Sequence, residues 1–72
     1  MITPQEIKDL IEAGLPDARV RVSGDGHHFE AVVVSPAFQG KSRIQQHQLV
    51  YAALGDRMRE QIHALSLKTD SP

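Results

Sequence analysis

Hydrophobic and polar residues recur along this chain with two periods, one typical of helices and one typical of strands. The segment Thr3-Pro4-Gln5-Glu6 combines an N-cap residue, a proline at the first helical position and a glutamate three residues after the cap. Apolar residues follow at helical spacing as far as Gly14, which favours a helix end. The pattern predicts a first helix from Thr3 to Gly14.

Two strands joined by a tight turn are predicted next. Residues 18–22 alternate apolar with polar side chains, which is the period of a strand with one exposed face. The glycines within Ser23–Gly26 permit the positive φ angles that a hairpin turn requires. The second strand, Phe29–Val34, is apolar at every position except Glu30, so we expect it to be central in its sheet.

The second half of the chain predicts two helices and a final strand. After a loop at Pro36–Lys41, a second capping box opens a helix over Ser42–Leu54. We expect the buried stripe of this helix at Gln46, Val50, Ala53 and Leu54. Asp56 can cap a short helix over residues 57–61, and a last strand is expected at Ile62–Leu67. The chain is thus predicted to form one domain, residues 1–72, with an ordered core at 3–69 and a polar tail at 70–72.

This α-β-β-α-α-β order predicts an α+β fold with helices on one face of a three-stranded mixed sheet. The last strand follows a helical crossover, which favours parallel pairing with one of the earlier strands. If it pairs with the first strand, His63 lies at the opposite end of the sheet from the hairpin turn. If it pairs with the second strand, His63 lies close to His27 and His28. The sequence leaves both arrangements open.

Composition narrows the classes of function. A domain of 72 residues buries a small core, which favours binding over catalysis. A formal net charge of −1 argues against strong sequence-independent DNA binding. The chain has no cysteine, so it can supply neither a disulfide nor a thiolate ligand. With no leader pattern and no apolar run of membrane-spanning length, we expect a cytoplasmic domain without membrane contact, either a monomer or a weak homodimer.

Histidines stand at the edges of two predicted strands. His27 and His28 precede the second strand, and His63 lies at the start of the last one. Two histidines without cysteine or a carboxylate pattern are too few for a closed zinc site, which takes four ligands. They are compatible with a metal half-site that a partner completes. The alternative is that these histidines are structural.

Five segments together resemble the BolA family, and more narrowly its short bacterial members of the IbaG type. They are Gly26-His27-His28-Phe29, Val32-Val33-Val34-Ser35, Phe38-Gln39-Gly40, Val50-Tyr51 and Ile62-His63-Ala64-Leu65-Ser66-Leu67-Lys68-Thr69. The resemblance covers nearly the whole chain and implies a fold similar to a type II KH domain.

The resemblance also implies a function and a site. BolA-like proteins are expected to be non-enzymatic adaptors that bind a monothiol glutaredoxin and share a [2Fe-2S] cluster with it, in cluster trafficking, iron homeostasis or stress regulation. The glutaredoxin and glutathione supply the thiolates. The histidine that the BolA protein supplies corresponds to His63, and His27 is the nearest match to its second ligand. His28 matches a position that looks structural.

A nucleic-acid-binding transcriptional regulator is the alternative that the resemblance also allows. It would use the Ser42–Leu54 helix, with Lys41 and Arg43 as phosphate-binding residues. However, many family members have two arginines where this chain has Gln46 and Gln48, which weakens this hypothesis. Base stacking is also disfavoured, because the three aromatic residues are expected in the core. These are Phe29, Phe38 and Tyr51.

Overall fold

The computed structural model describes all 72 residues and confirms the predicted order of elements. The first half contains α1 (Pro4–Gly14), β1 (Arg19–Gly24) and β2 (His28–Val34). A 3-10 turn at Pro36–Phe38 interrupts the predicted loop, and the second half contains α2 (Arg43–Leu54), α3 (Arg57–Glu60) and β3 (Ala64–Asp70). None of the three helices has the length or the apolar run needed to span a bilayer.

Both long helices begin at the capping boxes that the sequence predicts. The Thr3 hydroxyl accepts from the N–H of Glu6 at 3.1 Å, and the Glu6 carboxylate accepts from the N–H of Thr3 at 3.3 Å. Ser42 and Gln45 exchange the same pair of bonds at 3.2 and 2.9 Å. Each box pairs N–H groups that the helix itself leaves without partners, so the local sequence fixes where α1 and α2 begin.

The predicted cap at Asp56 is wrong. Asp56 has helical backbone angles, φ −64° and ψ −21°, and its side chain makes no capping hydrogen bond. Its carboxylate instead accepts from the Arg59 guanidinium at 3.3 Å. Helix α3 ends at Glu60, one residue earlier than predicted.

The last strand is displaced relative to its prediction at Ile62–Leu67. Strand β3 begins at Ala64 and runs to Asp70, beyond the last apolar residue. Its ladder with β2 continues to the pair Val34–Asp70, and the N–H of Ser35 donates to the Asp70 carbonyl oxygen at 3.0 Å. Because β3 lies at the sheet edge, its polar residues can face solvent without leaving the ladder. Polarity after Leu67 therefore did not mark the strand end.

The sheet has the order β1-β2-β3, with β1 antiparallel to β2 and β3 parallel to β2. This confirms that the second strand is central. Inward-facing residues of β1 and β2 pack against the apolar faces of α1 and α2. The buried apolar residues are Ile2, Ile7, Ile11, Leu15, Val20, Phe29, Ala31, Val33, Phe38, Val50, Leu54 and Ile62. The opposite face of the sheet is open, and Val32 is 40% exposed there.

Helix α2 buries a narrower stripe than the sequence predicts. Val50 and Leu54 are fully buried, whereas Gln46 and Ala53 are half-buried. The expectation that Tyr51 lies in the core is wrong, since Tyr51 is 39% exposed. It follows Val50 on a helix that turns about 100° per residue, which carries its side chain out of the buried stripe.

A candidate histidine metal centre

Parallel pairing of β2 with β3 brings the two histidine segments to the same end of the sheet. His28 is opposite Ala64 in the ladder, and the N–H of Ala64 donates to the His27 carbonyl oxygen at 3.2 Å. His63 therefore lies beside the start of β2. The ring centroids of His27 and His63 are 6.5 Å apart, and those of His28 and His63 are 6.3 Å apart. Of the two arrangements that the sequence left open, this is the one that the metal hypothesis requires.

The hairpin turn holds His27 and His28 in place through Asp25. One carboxylate oxygen of Asp25 accepts from the N–H of His27 and from the N–H of His28, both at 2.9 Å. The N–H of Asp25 donates to the His28 carbonyl oxygen at 3.2 Å, and Gly26 has φ +98°, which favours glycine. The turn sequence thus fixes the backbone from which both imidazoles project.

Hydrogen bonding also sets the charge state of this turn. The hydrogen bond from the N–H of His28 has the largest effect on the Asp25 carboxyl and lowers its pKa below the usual value of 3.8; the bond from the N–H of His27 lowers this pKa further. The carboxylate that accepts these bonds is therefore ionised at neutral pH. Because one of its oxygens is committed to the turn, we assign Asp25 to positioning the histidines rather than to metal binding.

The donor set is suited to part of a metal centre and not to a whole one. His27, His28 and His63 are exposed, and no side-chain nitrogen of the three makes a hydrogen bond within the chain. No group of three or more metal-binding side chains converges on one point. Two imidazoles that share a tetrahedral ion have ring centres about 5 Å apart, given metal–nitrogen distances of about 2.0–2.1 Å. The observed separations exceed this by an amount that rotation of exposed side chains can close, so the histidines fit an open half-site.

His28 is a second candidate beside His27, although the sequence favours a structural role for it. Its side chain is exposed and its ring is as near to His63 as that of His27. The alternation of β2 indicates this exposure. Phe29 is 1% exposed and faces the core, so the side chain of its neighbour His28 lies on the open face.

The residues proposed for nucleic-acid binding lie elsewhere. Lys41 is exposed in the loop before α2, and Arg43 is exposed at the first residue of that helix. Arg43 borders the last residues of β3, at the end of that strand opposite His63, roughly 20 Å away along a seven-residue strand. The exposed side of α2 beyond Arg43 is uncharged and includes Ile44, which is 71% exposed, and Tyr51. An uncharged helix face does not favour binding to phosphates.

Comparison with known proteins gives a consistent result. The sequence profile described as BolA-like protein matches residues 11–72. The chain is 38% identical over 68 residues to the acid stress protein IbaG of Escherichia coli strain K12, covering 93% of this chain and 81% of that protein. A solved structure of a BolA protein homologue from Coxiella burnetii is 55% identical with a TM-score of 0.90, covering 100% of this chain and 94% of that one. The BolA domain of SufE1 from Arabidopsis thaliana is 31% identical with a TM-score of 0.82, covering 96% and 91%.

Proposed function

The chain belongs to the family of BolA-like proteins, and from this premise we propose that it is a non-enzymatic adaptor that binds a monothiol glutaredoxin and shares a [2Fe-2S] cluster with it. Its role would lie in cluster trafficking, iron homeostasis or stress regulation. The observation that carries the proposal is the position of His63 beside His27 and His28, on exposed strand ends at one end of the sheet.

Within this proposal, His63 supplies one ligand from the start of β3. His27 supplies the second, and His28 is an alternative because its ring is equally near His63. Asp25 positions both residues of the turn through its two backbone hydrogen bonds. A bound [2Fe-2S] cluster supplies reversible one-electron chemistry, and imidazole in place of thiolate raises its potential.

The absence of cysteine explains why a partner is required. Iron–sulfur clusters are held mainly by thiolates, and this chain has none to offer. The glutaredoxin and its glutathione would therefore supply the thiolates. Since the histidines are exposed, the partner would also have to cover the cluster from solvent. A cluster held by two proteins is released when they separate, which suits delivery or sensing.

The test is an anaerobic titration of this protein into a cluster-loaded monothiol glutaredoxin, followed by visible absorption and circular dichroism. The wild-type chain is expected to give a saturating spectral change that is absent for His63→Ala. The matched control is His47→Ala, which removes a half-buried histidine from α2 and should leave the change intact. Comparison of His27→Ala with His28→Ala then identifies the second ligand.

Two results would contradict the proposal. Separate elution of the two proteins, with no spectral change, would exclude a shared cluster. A spectral change that survives His63→Ala but is lost when His27 and His28 are both replaced would exclude His63 as a ligand, although it would still support binding of the glutaredoxin.

A further inference from the structure

Strand β3 lies at an edge of the sheet and has one unpaired side. The N–H of Ala64 donates to the carbonyl oxygen of His27, the residue before β2, and the carbonyl oxygen of Asp70 accepts from the N–H of Ser35, the residue after β2. In a parallel ladder, every second residue directs both its N–H and its C=O to the neighbouring strand. On an edge strand, the residues between them direct their N–H and C=O groups away from the sheet. An edge of this kind can pair with another extended chain. The outward-directed residues are Leu65, Leu67 and Thr69.

A groove of about 590 Å³ runs along the C-terminal half of this edge. Val32 and Val34 line it from the open face of the sheet, and Arg43 and His47 line it from α2. Residues 67–70 of β3 lie between them. Because the lining comes from both sides of the sheet, the groove follows the strand edge rather than either face.

Helix α2 is tied to β3 beside this groove. The Gln46 side chain accepts from the Thr69 hydroxyl at 2.7 Å and donates to the Lys41 carbonyl oxygen at 3.0 Å. These bonds fix the spacing between helix and strand, so the groove is preformed. Preformed sites lose less conformational entropy on binding.

The charged groups around the groove favour an acidic occupant. Arg43 approaches from the helix side, and Lys68 is an exposed cation on β3 itself. His47 adds an imidazole to the helix side. The only carboxylate in the lining belongs to Asp70, at the end of the strand, where it accepts from the N–H of Ser71 at 2.8 Å.

We propose that the free edge of β3 binds an extended acidic segment of a partner protein as a fourth strand, with carboxylates reaching Arg43 and Lys68. Backbone hydrogen bonds along an edge provide affinity, and flanking side chains provide specificity. A second copy of this chain would add the same cations to the contact, where like charges repel. The cations of this surface lie towards the end of β3 opposite His63, and its test requires no cluster.

The probe is a capped octapeptide that repeats Glu-Glu-Val-Val, which places glutamates on both faces of a strand. The matched control peptide repeats Lys-Lys-Val-Val. Binding of the acidic peptide is expected to slow hydrogen exchange at the amides of Leu65, Leu67 and Thr69 by about tenfold or more, because an added strand pairs them. Removing both charges with Arg43→Gln and Lys68→Gln should weaken binding about fivefold.

Arg57→Gln is the control variant, since Arg57 is exposed on α3 outside the groove, and it should leave the affinity unchanged. Four results would overturn the proposal. The first two are no binding at millimolar peptide and equal binding of the lysine peptide. The third is protection of the same amides at high protein concentration without peptide, which would identify a second copy as the occupant. The fourth is binding of single-stranded DNA at the groove in preference to the acidic peptide, which would identify a nucleic acid.

Discussion

Ile62 and His63 are neighbours in the chain, yet truncating Ile62 should lower stability, whereas truncating His63 should abolish cluster binding with little effect on stability. Ile62 is 4% exposed and belongs to the core, whereas His63 is exposed. The rings of His27 and His28 meet that of His63 edge to face, at centroid distances of 6.5 and 6.3 Å, and all three side chains are exposed, so truncating His63 removes no buried surface. A stability effect and a binding effect can therefore be separated at adjacent positions.

The expected magnitudes follow from burial. Ile62→Ala removes fully buried carbon atoms and should lower the free energy of unfolding by about 2–5 kcal/mol. His63→Ala should change it by less than about 0.5 kcal/mol, as for surface substitutions away from specific contacts. In a domain of this size, about 1 kcal/mol corresponds to roughly 4–8 °C in Tm. We therefore expect a loss of at least about 8 °C for Ile62→Ala and at most about 4 °C for His63→Ala.

Thermal and urea unfolding, followed by circular dichroism at matched protein concentration, measure both values. Ile62→Val serves as the conservative control and should cost about 0.5–1.5 kcal/mol. The same samples are then tested for the spectral change with cluster-loaded glutaredoxin, which His63→Ala should abolish while remaining folded. A loss above about 1 kcal/mol for His63→Ala would refute the reasoning, because it would show that the imidazole carries structural contacts.

Three further predictions concern the turn and the helix–strand contact. Asp25→Asn should have a lower Tm than wild type at neutral pH. This difference should disappear as the pH falls below 3.8, because a lowered carboxyl pKa stabilises the fold only while the group is ionised. A difference in Tm that does not depend on pH would contradict a role for the ionised carboxylate. Gly24→Ala should lower the free energy of unfolding, measured by urea titration, by about 1–3 kcal/mol, since a Cβ there would lie 2.5 Å from the His28 carbonyl oxygen of the hairpin. An unchanged free energy of unfolding would contradict this. Gln46→Ala should cost about 1–2 kcal/mol by leaving the half-buried Thr69 hydroxyl unpaired, whereas the exposed control Gln48→Ala should be neutral in the same assay.

Features that depend on neighbours in sequence were predicted well. The capping boxes at Thr3 and Ser42 involve residues three apart, so their hydrogen bonds follow from local geometry alone. The hairpin turn likewise follows from the glycines around Asp25. Asp56 is the exception: its backbone is helical and its side chain makes no capping hydrogen bond, although it contacts Arg59 three residues away.

Features that depend on the environment of a residue were predicted less well. Residue type alone places Tyr51 in the core, but the helical period places it outside the buried stripe of α2. Polarity alone ends β3 at Leu67, whereas pairing with β2 extends the strand to Asp70. In the second case the deciding contact is with another strand, and residue type does not encode it.

The sequence by itself determined the elements, their order, the hairpin turn and the presence of histidines at two strand starts. The tertiary structure alone decided that β3 pairs with β2, which places His63 beside His27 and His28 and leaves the other side of β3 unpaired. The physical reason is range. Caps and turns are set by hydrogen bonds within a few residues, whereas the choice of a strand's partner is set by packing across the whole sheet, and either partner was compatible with the local pattern.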